Sequence, residues 1–170
     1  FNEISSVFSD WIINNSISIY DETVHKGLIR HLYLRIANKT NQIMVVIVTP
    51  NELFPGRANF VKDLLKLEPK VTTIIQNIQS RDTSIVLGTK ERVLYGKGFI
   101  VDELCGLKFK LSARSFFQIN PVQTEKLYSI AMEFANLRVG NTVIDAYSGI
   151  GTIGMVASKT CGKVICVENN

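Results

Sequence analysis

The chain has 170 residues, 46% of them apolar, and carries a formal net charge of +4. That length suits one domain or two small ones, and that apolar content excludes a disordered chain. No run approaches the roughly 20 apolar residues that span a bilayer, and the opening "FNEISSVFSDWI" has neither the basic n-region nor the small-residue cleavage site of a secretory signal.

In chain order, residues 3–14 place Ile4, Val7, Phe8, Trp11 and Ile12 at helical spacing and predict a short amphipathic helix. "GLIRHLYLRIA" and "QIMVVIVT", joined by "NKTN", predict a β-hairpin. In its first strand Leu28, Arg30, Leu32, Leu34 and Ile36 share one face, while Ile29, His31, Tyr33 and Arg35 share the other. "ANFVKDLLKLEP" predicts a helix stopped by Pro69. "VTTIIQNIQ", "SIVLG", "ERVLYGKGFIVDEL" and "LKFKLSARSFFQIN" predict further strands. Residues 1–112 therefore read as an α+β domain with a largely antiparallel sheet.

The pattern changes near Asn120. "NPVQ" sets a capping side chain at Asn120, a proline at the first helical position and Gln123 three residues after the cap. Leu127, Ile130, Ala131 and Phe134 then recur at helical spacing, and this helix is expected to end near Val139 and Gly140. "TVIDA" predicts a buried strand, "IGMVASK" a helix and "KVICVE" a second buried strand. Residues 113–170 thus read as a β-α-β unit opening a parallel, doubly wound sheet. Such a sheet needs more strands to cover its faces, so an incomplete second domain is expected.

Between the first of these strands and its helix lies "DAYSGIGTIG", with Gly149, Gly151 and Gly154 in a G-x-G-x-x-G. A strand-to-helix turn of this kind presents backbone N–H groups, and its glycines let an adenosine-containing cofactor approach closely. Asp145, however, ends the strand, and "AYS" intervenes before Gly149. A dinucleotide pyrophosphate would face that carboxylate, whereas the cationic sulfonium and ammonium groups of S-adenosylmethionine would be tolerated beside it. Glu168, at the end of the next strand, can accept hydrogen bonds from ribose hydroxyls and suits either cofactor. Asp145 could also cap the following turn, and Glu168 could be a solvated strand end, but the pair on one β-α-β unit favours cofactor binding.

Three segments in order, "SFFQINPVQTEKLY", "VIDAYSGIGTIG" and "VICVEN", closely resemble the RNA uracil-C5 methyltransferases, which form 5-methyluridine in ribosomal and transfer RNA. "GLIRHLYLR" also resembles a strand of that family's central domain, and the resemblance is strongest to the bacterial ribosomal-RNA (23S rRNA) members. It implies a central α+β domain over 1–112, with RNA contact, followed over 113–170 by the start of a class I, Rossmann-like methyltransferase domain that binds S-adenosyl-L-methionine. It also implies cofactor-binding roles for Gln118, for Tyr147 in the glycine turn, for Gly149 and Gly151, and for the ribose-binding Glu168. The expected function is methyl transfer from S-adenosylmethionine to C5 of uridine in RNA, in the cytoplasm.

The family's chemistry uses a cysteine thiolate that adds to C6 of uracil and a carboxylate base that removes the C5 proton. Cys105, Cys161 and Cys166 fit that role neither in position nor in context. Cys161 and Cys166 read as small hydrophobes at a helix end and within a buried strand. The resemblance places the nucleophile and base beyond these residues, so no catalytic residue is assigned and the 170-residue chain alone is expected to be inactive. The cysteines have neither disulfide-framework nor metal-site spacing, and with His25 and His31 they suggest reduced thiols and no metal. Lys26, Arg30, His31 and Arg35, with Tyr33, form a basic, aromatic-bearing strand region suited to RNA, although Arg30 on an apolar face equally suits a structural ion pair. Two rivals stay open: a fragment of a dinucleotide-dependent oxidoreductase, and a non-catalytic RNA-binding module.

Overall fold

A computed structural model describes residues 2–169. The chain divides into two compact units. One runs to Ala37 and again over Asn41–Ile100, and the other takes Asn38–Thr40 and everything from Val101 onward. The expected domain bound lies at residue 112, and the stretch from Val101 to that point groups with the second unit.

In the first unit, α1 (Asn2–Asn14) buries Ile4, Phe8 and Trp11, the stripe that its spacing predicts. Strands β1 (His31–Ile36) and β2 (Ile43–Thr49) pair antiparallel as the expected hairpin, with Ile36 opposite Ile43. Helix α2 (Arg57–Leu67) buries Phe60 and Leu64 and stops just ahead of Pro69. It connects β2 to β3 (Val71–Ile78), which runs parallel to β2, and β4 (Lys90–Gly96) returns antiparallel. The sheet order is β1-β2-β3-β4. The sheet is thus largely antiparallel, with one parallel pairing between β2 and β3, for which α2 supplies the crossover that a parallel neighbour requires. All residues of β2 are buried, which explains its continuous apolar run in place of alternation.

The core on the helix side is aromatic. The Trp11 and Phe60 ring centroids lie 4.9 Å apart, and Phe54 meets Trp11 edge-on at 5.8 Å. Val45, Ile47, Leu64 and Ile74 fill the space around them.

Three strand expectations change. "SIVLG" is not a strand. The Asn77 side chain accepts from the Gly88 N–H at 2.7 Å and donates to the Gly88 carbonyl at 3.1 Å, while Gln79 Nε2 donates to the Ile85 carbonyl at 2.9 Å. These side-chain amides hold the segment as a loop in place of ladder bonds. "ERVLYGKGFIVDEL" breaks into β4 and β5 (Ile100–Leu104) at Gly96 and Gly98, whose φ angles of 76° and 75° leave the β region. "LKFKLSARSFFQIN" is a strand only over β6 (Leu107–Leu111). The Ser112 and Ser115 hydroxyls lie 2.8 Å apart, and each accepts from the other's backbone N–H at 3.2 Å, so the chain turns there.

In the second unit, β5 and β6 form a hairpin closed by Cys105 and Gly106, at φ 51° and 70°, a pair of left-handed residues that matches strand twist. Asp102, buried, accepts the backbone N–H groups of Asn38, Lys39 and Glu103, each at 2.9 Å. Helix α3 (Pro121–Ala135) begins as expected, with Asn120 Oδ1 accepting from the Gln123 N–H at 3.1 Å. It ends earlier than expected, because Asn136 adopts the left-handed conformation at φ 44° and closes it. Strands β7 (Thr142–Ala146) and β8 (Lys163–Val167) pair parallel around α4 (Thr152–Ala157), the predicted β-α-β unit.

The expected burial of this unit is not met. Residues of β7 and β8 are exposed or half-buried, and Cys166 is exposed. On α3 the buried residues are Thr124 and Tyr128, whereas Leu127, Ile130 and Phe134 face outward. Helical and strand periodicity mark an apolar face, but they do not supply the element that covers it.

Candidate functional site

The glycine turn shows why each of its residues is there. Gly154 lies in the first turn of α4, where an added Cβ would come within 2.8 Å of Asp145 Oδ2 and 2.9 Å of Cys166 Sγ, so it permits close helix-to-strand packing. Gly151 caps α4 at φ 78°. Gly149, at φ 55°, has no atom within 4 Å of a built Cβ, so its exposed side is open for a ligand. Tyr147 holds φ 66° with 92% of its surface exposed. A left-handed backbone is costly for a bulky residue, so this aromatic is displayed by the turn rather than packed.

The two acids are both anchored. The Gly154 N–H donates to Asp145 Oδ2 at 2.9 Å, which sets a carboxylate at the start of α4. There it satisfies a free N–H group and favours the helix dipole. An anion brought to this helix start would face that carboxylate. The Gly149 N–H donates to Glu168 Oε2 at 2.7 Å, which brings the end of β8 against the glycine turn. Behind the turn, the Tyr128 hydroxyl meets Thr152 Oγ1 at 2.8 Å and ties α3 to the first residue of α4.

Tyr147, Gly149 and Glu168 line one open cleft of about 630 Å³. Gly151 lies just beyond it at the head of α4, and Gln118 is half-buried in the irregular stretch before α3, outside the lining. The cleft also takes in Arg114, Ser115 and Phe116, which the sequence reading placed within a strand. Ser115 and Phe116 open the "SFFQIN" motif and Arg114 directly precedes it, which is their one signal in the sequence.

None of the cysteines lines this cleft. Cys105 sits in the β5–β6 turn, where burial and then the nearby Glu125 carboxylate push its thiol above the usual range, the opposite of an activated nucleophile. Among the described residues no group of three or more His, Cys, Asp or Glu could hold a metal ion, and no helix is long and apolar enough to cross a membrane.

Within the basic strand region, Arg30, just ahead of β1, has a structural role. The buried Arg30 guanidinium donates to both Glu22 carboxylate oxygens at 2.7 Å and to the carbonyls of Gln79 and Arg81 at 3.0 and 2.8 Å. It also lies 5.0 Å from the centre of the Tyr20 ring. Four of its five N–H donors are engaged within the first unit, as a clamp on the loop after β3. Of the two roles open to Arg30 in the sequence, the ion pair is the one observed.

No family model matches the chain. A protein of Clostridium tetani named "Uncharacterized RNA methyltransferase" is 42% identical over 167 residues, covering 98% of this chain and 36% of that protein. A protein of Caldanaerobacter subterraneus, likewise named an uncharacterized RNA methyltransferase, is 42% identical over 168 residues and covers 99% of this chain and 37% of its own length. Among solved structures, the tRNA (uracil-54, C5)-methyltransferase of Pyrococcus abyssi, in complex with S-adenosyl-L-homocysteine, superposes with a TM-score of 0.80 at 26% identity. That match covers 97% of this chain and 39% of the Pyrococcus protein. The chain thus spans little more than a third of the length of the curated relatives it matches.

Proposed function

We propose, from the premise that the chain belongs with the RNA methyltransferases it matches along 98% of its length, that it supplies the cofactor turn and one wall of the active site of an enzyme methylating C5 of uridine in RNA. The observation that carries this is the cleft in which Glu168, Gly149 and Tyr147 meet beside an α4 whose start is already occupied by the Asp145 carboxylate. The site fits an adenosine with a cationic tail: a ribose-accepting acid, an open glycine and a carboxylate rather than a free helix start where a phosphate would lie. S-adenosylmethionine would supply the methyl group. Glu168 would accept the ribose hydroxyls, held for that task by the Gly149 N–H. Gly149 lets the ligand lie against the backbone, and Tyr147 offers an aromatic face beside it. Gln118 and Gly151 would support the same ligand from the edges of the turn, Gly151 by giving the backbone its left-handed entry into α4.

The resemblance favours ribosomal RNA as substrate, while the Pyrococcus relative is named for tRNA; mapping 5-methyluridine in both RNAs of a deletion strain decides between them. An enzyme of this kind acts in the cytoplasm. The nucleophile and base would come from sequence outside these residues, so the chain alone transfers no methyl group. A methyl-transfer assay with labelled cofactor and an RNA stem-loop tests this: the full-length protein should turn over and the 170-residue chain should not. Thermal shifts of the full-length protein with S-adenosylhomocysteine and with a nicotinamide dinucleotide test the cofactor. Stabilisation by the dinucleotide alone would overturn the assignment in favour of an oxidoreductase.

A further inference from the structure

The cofactor reading leaves one strong charge in the cleft without a task. Arg114 lines the cleft and is exposed, and among the described residues it has no hydrogen bond or ion pair. Its backbone is nonetheless fixed on both sides. The crossed Ser112 and Ser115 bonds flank it. Ala113 and Phe117 are buried beside it, with the Phe117 ring 5.9 Å from that of Phe109. An ordered backbone thus carries a guanidinium with all its donors available, which is the condition for recognising an anion without first breaking an internal pair.

Two observations indicate which anion. The cleft already contains the Glu168 carboxylate, to which the ribose is assigned, so Arg114 is the group of its lining left to take an anion. The lining also carries exposed aromatic surface: Phe116, two residues along, is 73% exposed, and Tyr147 lines the same cleft. A cation beside unpacked aromatic rings is how proteins hold single-stranded nucleic acid, the charge on a phosphate and the rings against bases.

We propose that Arg114 binds a backbone phosphate of the RNA and seats the strand at the cleft. This rests on the methyltransferase reading above. The test is RNA binding by the full-length protein to a short uridine-containing stem-loop over a salt series, with S-adenosylhomocysteine affinity measured in parallel. Arg114→Gln should weaken RNA binding about tenfold and reduce the salt slope by about 1. Its S-adenosylhomocysteine affinity should stay at the wild-type value. Arg114→Lys should restore the slope, because the phosphate contact needs the charge, and its recovery also shows that the position tolerates substitution. An unchanged slope in Arg114→Gln overturns the proposal. So does a loss of S-adenosylhomocysteine affinity at unchanged slope, which would assign Arg114 to the cofactor's carboxylate. Wild-type protein that binds RNA but neither S-adenosylhomocysteine nor S-adenosylmethionine sinks the methyltransferase reading and still leaves the slope to judge Arg114. Wild-type protein that binds no RNA overturns both.

Discussion

The two units treat their apolar residues in opposite ways. In the first, the stripe of α1, the face of α2 and all of β2 are buried around an aromatic cluster. In the second, the stripe of α3 and the strands β7 and β8 are largely exposed, although their sequences also carry apolar residues at helical and strand spacing. Where large side chains interlock, stability is concentrated in single residues; where they face outward, the residues that matter most are those that shape backbone and turn.

The contrast can be broken by substitution. Phe60→Ala removes a ring that touches Phe8, Trp11 and Phe54. It should cost about 3–5 kcal/mol in urea denaturation, and a loss under about 1 kcal/mol would show that the first unit's core is not interlocked. Gly154→Ala, in the second unit, forces a methyl against Asp145 and Cys166. We expect a loss of about 1–3 kcal/mol, with the Asp145 bond to α4 weakened and S-adenosylhomocysteine affinity of the full-length protein reduced.

A smaller effect should follow pH. Hydrogen bonding to Arg30 holds the Glu22 carboxyl below its usual range. A lowered folded value means that the pair's stabilisation is complete above about pH 4.3, the unfolded carboxyl value, and fades as pH falls through the lower folded one. Urea midpoints taken from neutral pH downward should therefore fall for the wild type more than for Glu22→Gln; equal falls would remove the clamp from the list of acid-sensitive contacts. Smallest of all, Phe134→Ala on the 84% exposed end of α3 should stay within about 0.5 kcal/mol in the 170-residue chain. A loss comparable to that of Phe60→Ala would mean that the outward stripe is in fact packed, and the comparison would collapse.

Much of the local structure was legible in the sequence. Trp11 and its helical neighbours, the "NKTN" hairpin, the stop at Pro69 and the Asn120 cap are short-range matters of sterics and hydrogen bonding, and each was found where its residues predict it. Two of the misses share a cause. Asn77 and Gln79 convert "SIVLG" into a loop, and Ser112 with Ser115 end β6, by side-chain bonds that compete with strand pairing and that hydrophobic periodicity does not register.

By itself the sequence determined that a strand, a glycine turn and a helix follow one another, and that Asp145 and Glu168 stand at the two strand ends, because backbone geometry and spacing are local properties. Only the tertiary structure decided what those residues meet. It closed Arg30 onto Glu22 and two distant carbonyls, and it brought Arg114 and Phe116 to the cleft of Tyr147 and Glu168. Such meetings join residues far apart along the chain, and they exist only once the backbone between them has been folded.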